Sequence, residues 1–263
     1  MRLIWELCKR SFQRHLTYRA AAMAGLMTNL FFGLLRAAVL VALYGGREEM
    51  SGVTLRGAIT YTGLTQALIA YLTLFSWYPI MDSVASGEIA SDLLKPLDYY
   101  TFWLSQDIGR AFASAIMRGL PLILFYALVF DITIPATAIQ WLALMLALIL
   151  SLLVSFSWRF LVNLAAFWTP NALGIGRFAF GLSWVLSGFF LPLRFHPDWF
   201  VRLAELTPFP ATVNTVVEIY LGVLTGPDLL NALLGQLLWL VVLVLAGKLV
   251  LHAGVRRLVI QGG

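Results

Sequence analysis

Apolar residues in this chain fall into long, nearly unbroken blocks separated by short polar segments. Six blocks stand out, at about residues 20–44, 58–80, 110–131, 139–167, 172–192 and 229–252. Each reaches the roughly 20 residues that a helix needs to cross ~30 Å of hydrocarbon. A membrane barrel would alternate apolar and polar residues over strands of about ten, and no stretch reads that way. The pattern therefore predicts an all-α membrane protein with six spanning helices.

Residues 1–19 precede the first block and differ in kind. Leu3, Ile4, Leu7, Cys8, Phe12 and Leu16 recur at helical spacing, with Glu6, Lys9, Arg10, Gln13 and Arg14 between them. This is the pattern of a basic amphipathic helix lying at a membrane surface. A signal-peptide n-region would be shorter and less regular. Residues 20–263 then form the transmembrane domain.

Two connections exceed a simple turn. In the first, residues 81–109, Ser86-Gly87-Glu88 reads as a helix start and Pro96 as its stop. Ile89, Ala90, Leu93 and Leu94 would give this short helix one apolar face, to be covered by lipid headgroups or by a partner protein. Tyr99, Tyr100, Phe102 and Trp103 would form an interfacial belt leading back into the membrane. In the second, residues 193–228, Pro197-Asp198-Trp199 reads as another helix start. Trp199, Phe200, Leu203 and Leu206 make an apolar stripe up to Pro208, and a second short helix is expected over 211–221. Arg202, Glu205 and Glu218 would make spanning costly. These pieces read as interfacial or re-entrant helices sheltered by protein.

Composition and charge sharpen this picture. The chain has 263 residues, 60% hydrophobic and 12% charged, with a mean hydropathy of +0.86. Soluble domains run nearer 45–50% apolar and about 25% charged. The net charge of +5 fits cytoplasmic Lys and Arg better than nucleic-acid binding. Arg2, Lys9, Arg10, Arg14 and Arg19 cluster at one terminus, and Arg256 and Arg257 at the other, near Gln261. The positive-inside bias places both termini in the cytoplasm of a multi-pass protein of the cell membrane, with an even number of spans.

Catalytic chemistry is missing from the sequence. Gly247-Lys248 is followed by Leu249 and lacks the glycines of a phosphate-binding loop. There is no His-Glu-x-x-His helix and no Gly-x-Ser-x-Gly elbow. One cysteine, Cys8, and three dispersed histidines exclude a disulfide framework and a clustered metal site. The carboxylates, Asp107 among them, read as lying in loops and at span ends. Arg36, Arg118, Arg159 and Arg177 fall within spans, where snorkelling, structural pairing and a substrate role are the readings open to them. The expected translocation path, along the first, second and fifth spans, offers Asn29, Thr60, Thr62, Thr65, Gln66, Ser183 and Ser187. Phe31, Phe32, Tyr61, Phe178, Phe180 and Trp184 stand around them. Many rings and a few neutral polar groups suit a hydrophobic or amphipathic cargo.

Three features together resemble the permease subunits of type-2 ABC transporters, and more narrowly their viologen-exporter-like branch. They are the N-terminal amphipathic helix, Ser86-Gly87-Glu88-Ile89 with Leu93-Leu94-Lys95-Pro96, and the run from Gly188-Phe189-Phe190-Leu191-Pro192 to Glu218-Ile219-Tyr220-Leu221-Gly222. The resemblance implies that the chain pairs with a second permease, a homologue or itself. It also implies two separate ATPase subunits that carry the ATP and Mg. Glu88, Ile89, Leu93, Leu94 and Lys95 would then couple to the ATPase. Trp199, Glu205, Pro208 and Glu218 would mark the outer re-entrant helices, and Asn29, Gln66, Phe178, Ser183 and Trp184 the path. A membrane-embedded enzyme or a secondary carrier are the alternatives. The first needs a catalytic set. The second needs broken helices and a buried carboxylate.

Overall fold

A computed structural model of the chain describes residues 2–169 and 171–257. Gln261 and the rest of the C-terminal tail lie outside the described residues. Twelve helical segments and one short hairpin follow in chain order: α1 Arg2–Thr17, α2 Arg19–Tyr44, β1 Glu49–Met50, β2 Val53–Thr54, α3 Leu55–Leu72, α4 Pro79–Ser86, α5 Ile89–Leu93, α6 Tyr99–Ser114, α7 Leu120–Val129, α8 Ala138–Asn163, α9 Ala172–Leu186, α10 Asp198–Glu205, α11 Asn214–Tyr220 and α12 Gly226–Val255. A π-helical turn at Ala115–Gly119 joins α6 and α7 into one rod, Tyr99–Val129. It lies just before Pro121, whose ring and missing N–H disturb regular helix in the preceding turn.

The protein is thus an all-α membrane protein, and four rods are long and apolar enough to cross a bilayer: α2, α6–α7, α8 with its 3₁₀ extension to Phe167, and α12. The second and fifth expected spans are the short ones. α3 has 18 residues and α9 has 15, or ~27 Å and ~22 Å of helix. Both stop before the apolar run does, at residue 72 rather than 80 and at 186 rather than 192.

Burial explains the composition of α3. It sits inside the bundle, with Tyr61, Thr62, Thr65, Gln66, Leu68 and Leu72 all buried. A helix shielded from lipid by its neighbours can carry Thr60, Thr62, Thr65 and Gln66 where a peripheral helix could not. α2 faces it with a narrow seam spaced three and four residues apart: Leu26, Asn29, Gly33, Ala37, Leu40 and Tyr44. The opposite face of α2 exposes Met27, Phe31, Phe32, Leu35 and Val39, and α12 exposes Leu234, Leu238, Val241, Leu245 and Leu249.

The first long connection is shorter than expected. Residues 99–109 belong to α6, which begins where the Asp98 side chain accepts from the Thr101 backbone N–H at 3.0 Å. Tyr99 and Tyr100 are accordingly not an interfacial belt. They are buried against Phe156 and Phe160 of α8, and the Tyr100 hydroxyl meets Ser157 Oγ at 2.8 Å. The early turns of α6 also carry α1. Ser11 Oγ donates to the Gln106 carbonyl at 2.6 Å. Gly109 permits the close crossing, because a Cβ there would run into the Cys8 carbonyl and the Phe12 nitrogen.

The two ends of the bundle differ. At one end β1 and β2 pair antiparallel through the Ser51-Gly52 turn, both residues having positive φ. Tyr44 packs there on Phe195, and Gln140 Nε2 caps α11 at the Ile219 and Tyr220 carbonyls. At the other end α4 and α5 sit below α8, where Asn163 Oδ1 accepts from the Met81 N–H at 3.2 Å.

Candidate functional site: two polar seams and the α4–α5 loop

Two seams of polar side chains form where the short helices stop. The first lies at the C-terminal end of α3. A helix leaves its last carbonyls without partners, and in an apolar environment each must be satisfied by something else. Arg110 of α6 donates to the Ala70 and Tyr71 carbonyls at 2.8 and 2.9 Å. Ser155 of α8 takes Leu72, Trp184 of α9 takes Leu74, and Asn163 takes Trp77. Side chains from three other helices therefore hold residues 70–77 and let the chain leave the helical path.

Asp107 anchors this seam. Its carboxylate accepts from Arg110 Nε at 2.7 Å and from both terminal nitrogens of Arg159 at 2.7 and 3.2 Å. Its side chain is fully buried and that of Arg159 is 1% exposed. Asp107 is therefore not one of the loop or span-end carboxylates that the sequence indicated. Arg159 pairs structurally and also sits over the Trp77 ring at 5.1 Å. The Asp107–Arg110 spacing of three was a sequence signal for a helical pair. The partner of Arg159, 52 positions away, had none.

The second seam closes the end of α9. Gly188 has φ of +76°, a left-handed conformation that ends the helix, and a Cβ there would press on Asn214 Oδ1 and the Tyr61 hydroxyl. Tyr61 donates to the Gly188 carbonyl. Arg36 crosses from α2 to donate to the Phe189 and Phe190 carbonyls and to Thr65 Oγ1. Asn214 Oδ1 accepts from the Leu193 N–H and lies 3.1 Å from the Tyr61 hydroxyl oxygen, and Arg194 pairs with Glu218 at 2.6 Å. Arg36 is thus tied to carbonyls rather than stretched toward water.

The expected path residues divide. Asn29 and Gln66 come together inside the protomer: Asn29 Nδ2 donates to the Gln66 carbonyl at 3.1 Å, and Arg118 reaches Asn29 Oδ1 and the Gly25 carbonyl. Ser183 is buried and turned back on the Phe180 carbonyl, and Trp184 is committed to Leu74. Phe178 points away from the protomer, 74% exposed. Arg177 beside it is exposed as well.

The loop residues divide in the same way. Gly87 ends α4 in a left-handed conformation, and the helix expected to start at Ser86-Gly87-Glu88 is α5, confined to Ile89–Leu93. Ile89 is buried among Ile80, Tyr99, Phe156 and Phe160, and Leu93 packs against the same cluster. Leu94 is 86% exposed. Residues 89 and 93 share a helix face at i, i+4, whereas 94 is turned ~100° from 93. The single apolar face over Ile89, Leu93 and Leu94 is therefore not formed. Its first two members are spent inside the protein, and Leu94 is displayed. Glu88 is exposed, and Lys95 pairs with Asp92 at 2.6 Å while lying over the Phe102 ring. Of the re-entrant residues, Trp199 and Glu205 are exposed on α10, whereas Pro208 and Glu218 are buried.

Apolar rods surround a polar-seamed central helix, with the α4–α5 loop at one end and, at the other, the exposed α10 and the buried α11. α11 is thus sheltered by protein as expected and α10 is not; together these elements form a multi-pass membrane scaffold. The chain matches the family described as ABC-2 family transporter protein over residues 30–262. That match takes in nearly everything after α1 and the start of α2, so the chain belongs to this family and is a non-catalytic permease subunit of an ABC transporter. The match is to the family as a whole rather than to one branch of it. A comparison with curated proteins returns no match.

Proposed function

We propose that the chain is one of two permease halves of an exporter in the cell membrane, driven by two separate ATPase subunits docked at α4–α5. The observation that carries this reading is the division of the loop. Ile89 and Leu93 fix α5 to the bundle, while Leu94 stands out between Glu88 and Lys95 and is left 86% exposed by the described residues. An apolar side chain displayed on a rigid support has the character of an interface anchor. Pairing with a second permease, either a homologue or another copy, is supported by α2 and α9. Phe31, Phe32, Phe178 and Leu182 are exposed there, and Gly174 and Gly181 have open space beside them. Small residues let a partner helix approach closely. These aromatic faces would also line a path for a hydrophobic or amphipathic compound such as a drug, a peptide or a lipid-like metabolite.

The test is co-purification with the ATPase subunit and measurement of its hydrolysis in vesicles. Leu94→Asp should insert normally, because the side chain is outside the core, and should weaken ATPase binding at least tenfold, the effect of losing an interface anchor. Unchanged binding and hydrolysis would remove α5 as the docking element. Stimulation confined to simple sugars or inorganic ions would reject the cargo class.

A further inference from the structure

A guanidinium inside a membrane bundle needs a counter-charge or a full set of acceptors. Arg159 and Arg110 share Asp107. Arg36 has no carboxylate, but it bonds the Phe189 and Phe190 carbonyls and Thr65 and lies over the Phe189 ring at 4.8 Å. Arg118 has neither. Among the described residues no carboxylate pairs with it. Only its Nη2 is bonded, at 3.3 Å to the Gly25 carbonyl and 3.3 Å to Asn29 Oδ1. Both contacts are longer than the ~2.7–2.9 Å of a bond with full charge on each side. Nε is buried without a partner. Nη1 makes no hydrogen bond among the described residues and keeps accessible surface, so a group from outside the chain can reach it.

The depth of Arg118 argues against snorkelling. It lies nine residues, ~13 Å, past Gly109, where α1 crosses α6, and eleven residues, ~16 Å, before Val129 at the end of the rod. Phe112, Ile116, Leu120, Leu124 and Leu128 are exposed at a spacing of four on either side of it, the stripe of a helix that faces lipid. The side chain does not extend along the rod toward water. It lies across α2, where a Cβ on Gly25 would stand 2.6 Å from its Cζ. The π-helical turn Ala115–Gly119 carries it, and such turns are frequent at functional positions. Asn29 beside it is already committed through Nδ2 to the Gln66 carbonyl. A positive charge is thus seated at mid-depth against neutral neighbours, with one nitrogen free.

We propose that Arg118, seated between α2 and the π-helical turn, binds the carboxylate of an amphipathic acid. Nη1 donates to the carboxylate, and the two charges neutralise one another at a depth where neither is stable alone. The apolar body of the ligand lies among the apolar side chains of the surrounding rods. A phospholipid headgroup, anchored at the membrane surface, is set apart from this level by the depth of the seat. The proposal deepens the export reading by giving the amphipathic cargo a negative charge, and it rests on that reading only for the fate of the ligand. Binding is measured with neither an ATPase nor a second permease, so failure here and failure of the export reading are separate results. A further consequence follows for the empty protein. An arginine kept for a ligand adds little to the fold, unlike Arg159, whose partner is Asp107.

The experiment uses the full chain in nanodiscs of phosphatidylcholine, which has no net charge. Calorimetric titration with octanoate near neutral pH, corrected with empty discs, should saturate at one site per chain. Methyl octanoate, its uncharged counterpart, should show only unsaturable partition. Arg118→Gln should bind octanoate about tenfold more weakly or worse, the loss of one charge-assisted hydrogen bond. Without ligand the same variant should unfold at the temperature of the parent or above it, and octanoate should raise the midpoint of the parent alone. Octanoate binding should be unchanged when phosphatidylglycerol is added to the disc, with salt present to screen the surface charge. Saturable binding of the ester, unchanged binding by Arg118→Gln, or no saturable binding of octanoate would each overturn the proposal. A lowered midpoint for the ligand-free variant would overturn it by making Arg118 structural, and competition by phosphatidylglycerol by giving the seat to a lipid headgroup.

Discussion

Replacing Asp107 with asparagine should be among the most damaging conservative changes in the protein. The substitution keeps the size and one oxygen but removes the negative charge that pairs with the guanidinium groups of both Arg110 and Arg159. Arg159 would remain 1% exposed with no counter-charge, and Arg110, 12% exposed, would face it as a like charge. Breaking a buried pair from one side costs about 3–5 kcal/mol, a large share of a total stability of about 5–15 kcal/mol. Arg159→Met should cost less, because Asp107 keeps Arg110 at 2.7 Å. The double variant Asp107→Asn/Arg159→Met should be less impaired than the sum of the two by about 2 kcal/mol, since no stranded guanidinium is left in α8. Arg110 retains the Ala70 and Tyr71 carbonyls in every case. The assay is reversible unfolding in mixed micelles, followed by tryptophan fluorescence. An Asp107→Asn protein within about 1 kcal/mol of the parent, or a strictly additive cycle, would show that the cluster is not the electrostatic anchor described above.

Three further outcomes can be measured. Gly109→Val places side-chain atoms on the backbone of α1, which cannot rotate away. α1 should therefore detach, and the half-buried Cys8, whose thiol pKa burial now raises, should react several-fold faster with a maleimide; an unchanged rate refutes the crossing. His15 has its pKa lowered below the ordinary value of 6.5, chiefly by burial, against the opposing effect of its bond to the Ser11 carbonyl. The neutral ring is the form the fold favours, so its contribution is complete above pH 6.5 and is lost as pH falls through the lowered value. Amide exchange in α1, corrected for intrinsic rate, should accelerate over that window in the parent and not in His15→Gln. For topology, cysteines at Glu49 and Asp198 in a Cys8→Ser background should label from outside intact cells, while one at Asp92 should not. The reverse pattern would invert the proposed orientation.

Much of the scaffold was legible in the sequence because lipid imposes a simple requirement. Spans must be apolar and long, and the blocks at 20–44, 139–167 and 229–252 match α2, α8 with its extension, and α12 to within a few residues. The motif run around Gly188 and Glu218 pointed to the family that the match over residues 30–262 shows. What failed was the reading of helix ends. Residues 73–78 and 187–192 carry no charge and hold several Leu and aromatic side chains, so the sequence pattern carried the helices through them.

The sequence by itself determined that the chain is helical and membrane-embedded. Tertiary structure decided where α3 and α9 stop, and whether a polar side chain is available or already used. The physical reason is the same in both cases. A helix can end within apolar chain only if its free carbonyls find donors, and here those donors are Arg36, Arg110, Ser155, Asn163 and Trp184, contributed by other helices. Ile89 and Leu94 read alike in one dimension. Whether each is core or surface follows from the ~100° turn per residue of a helix and from the position of Phe156 and Phe160 on α8, which only the folded chain sets.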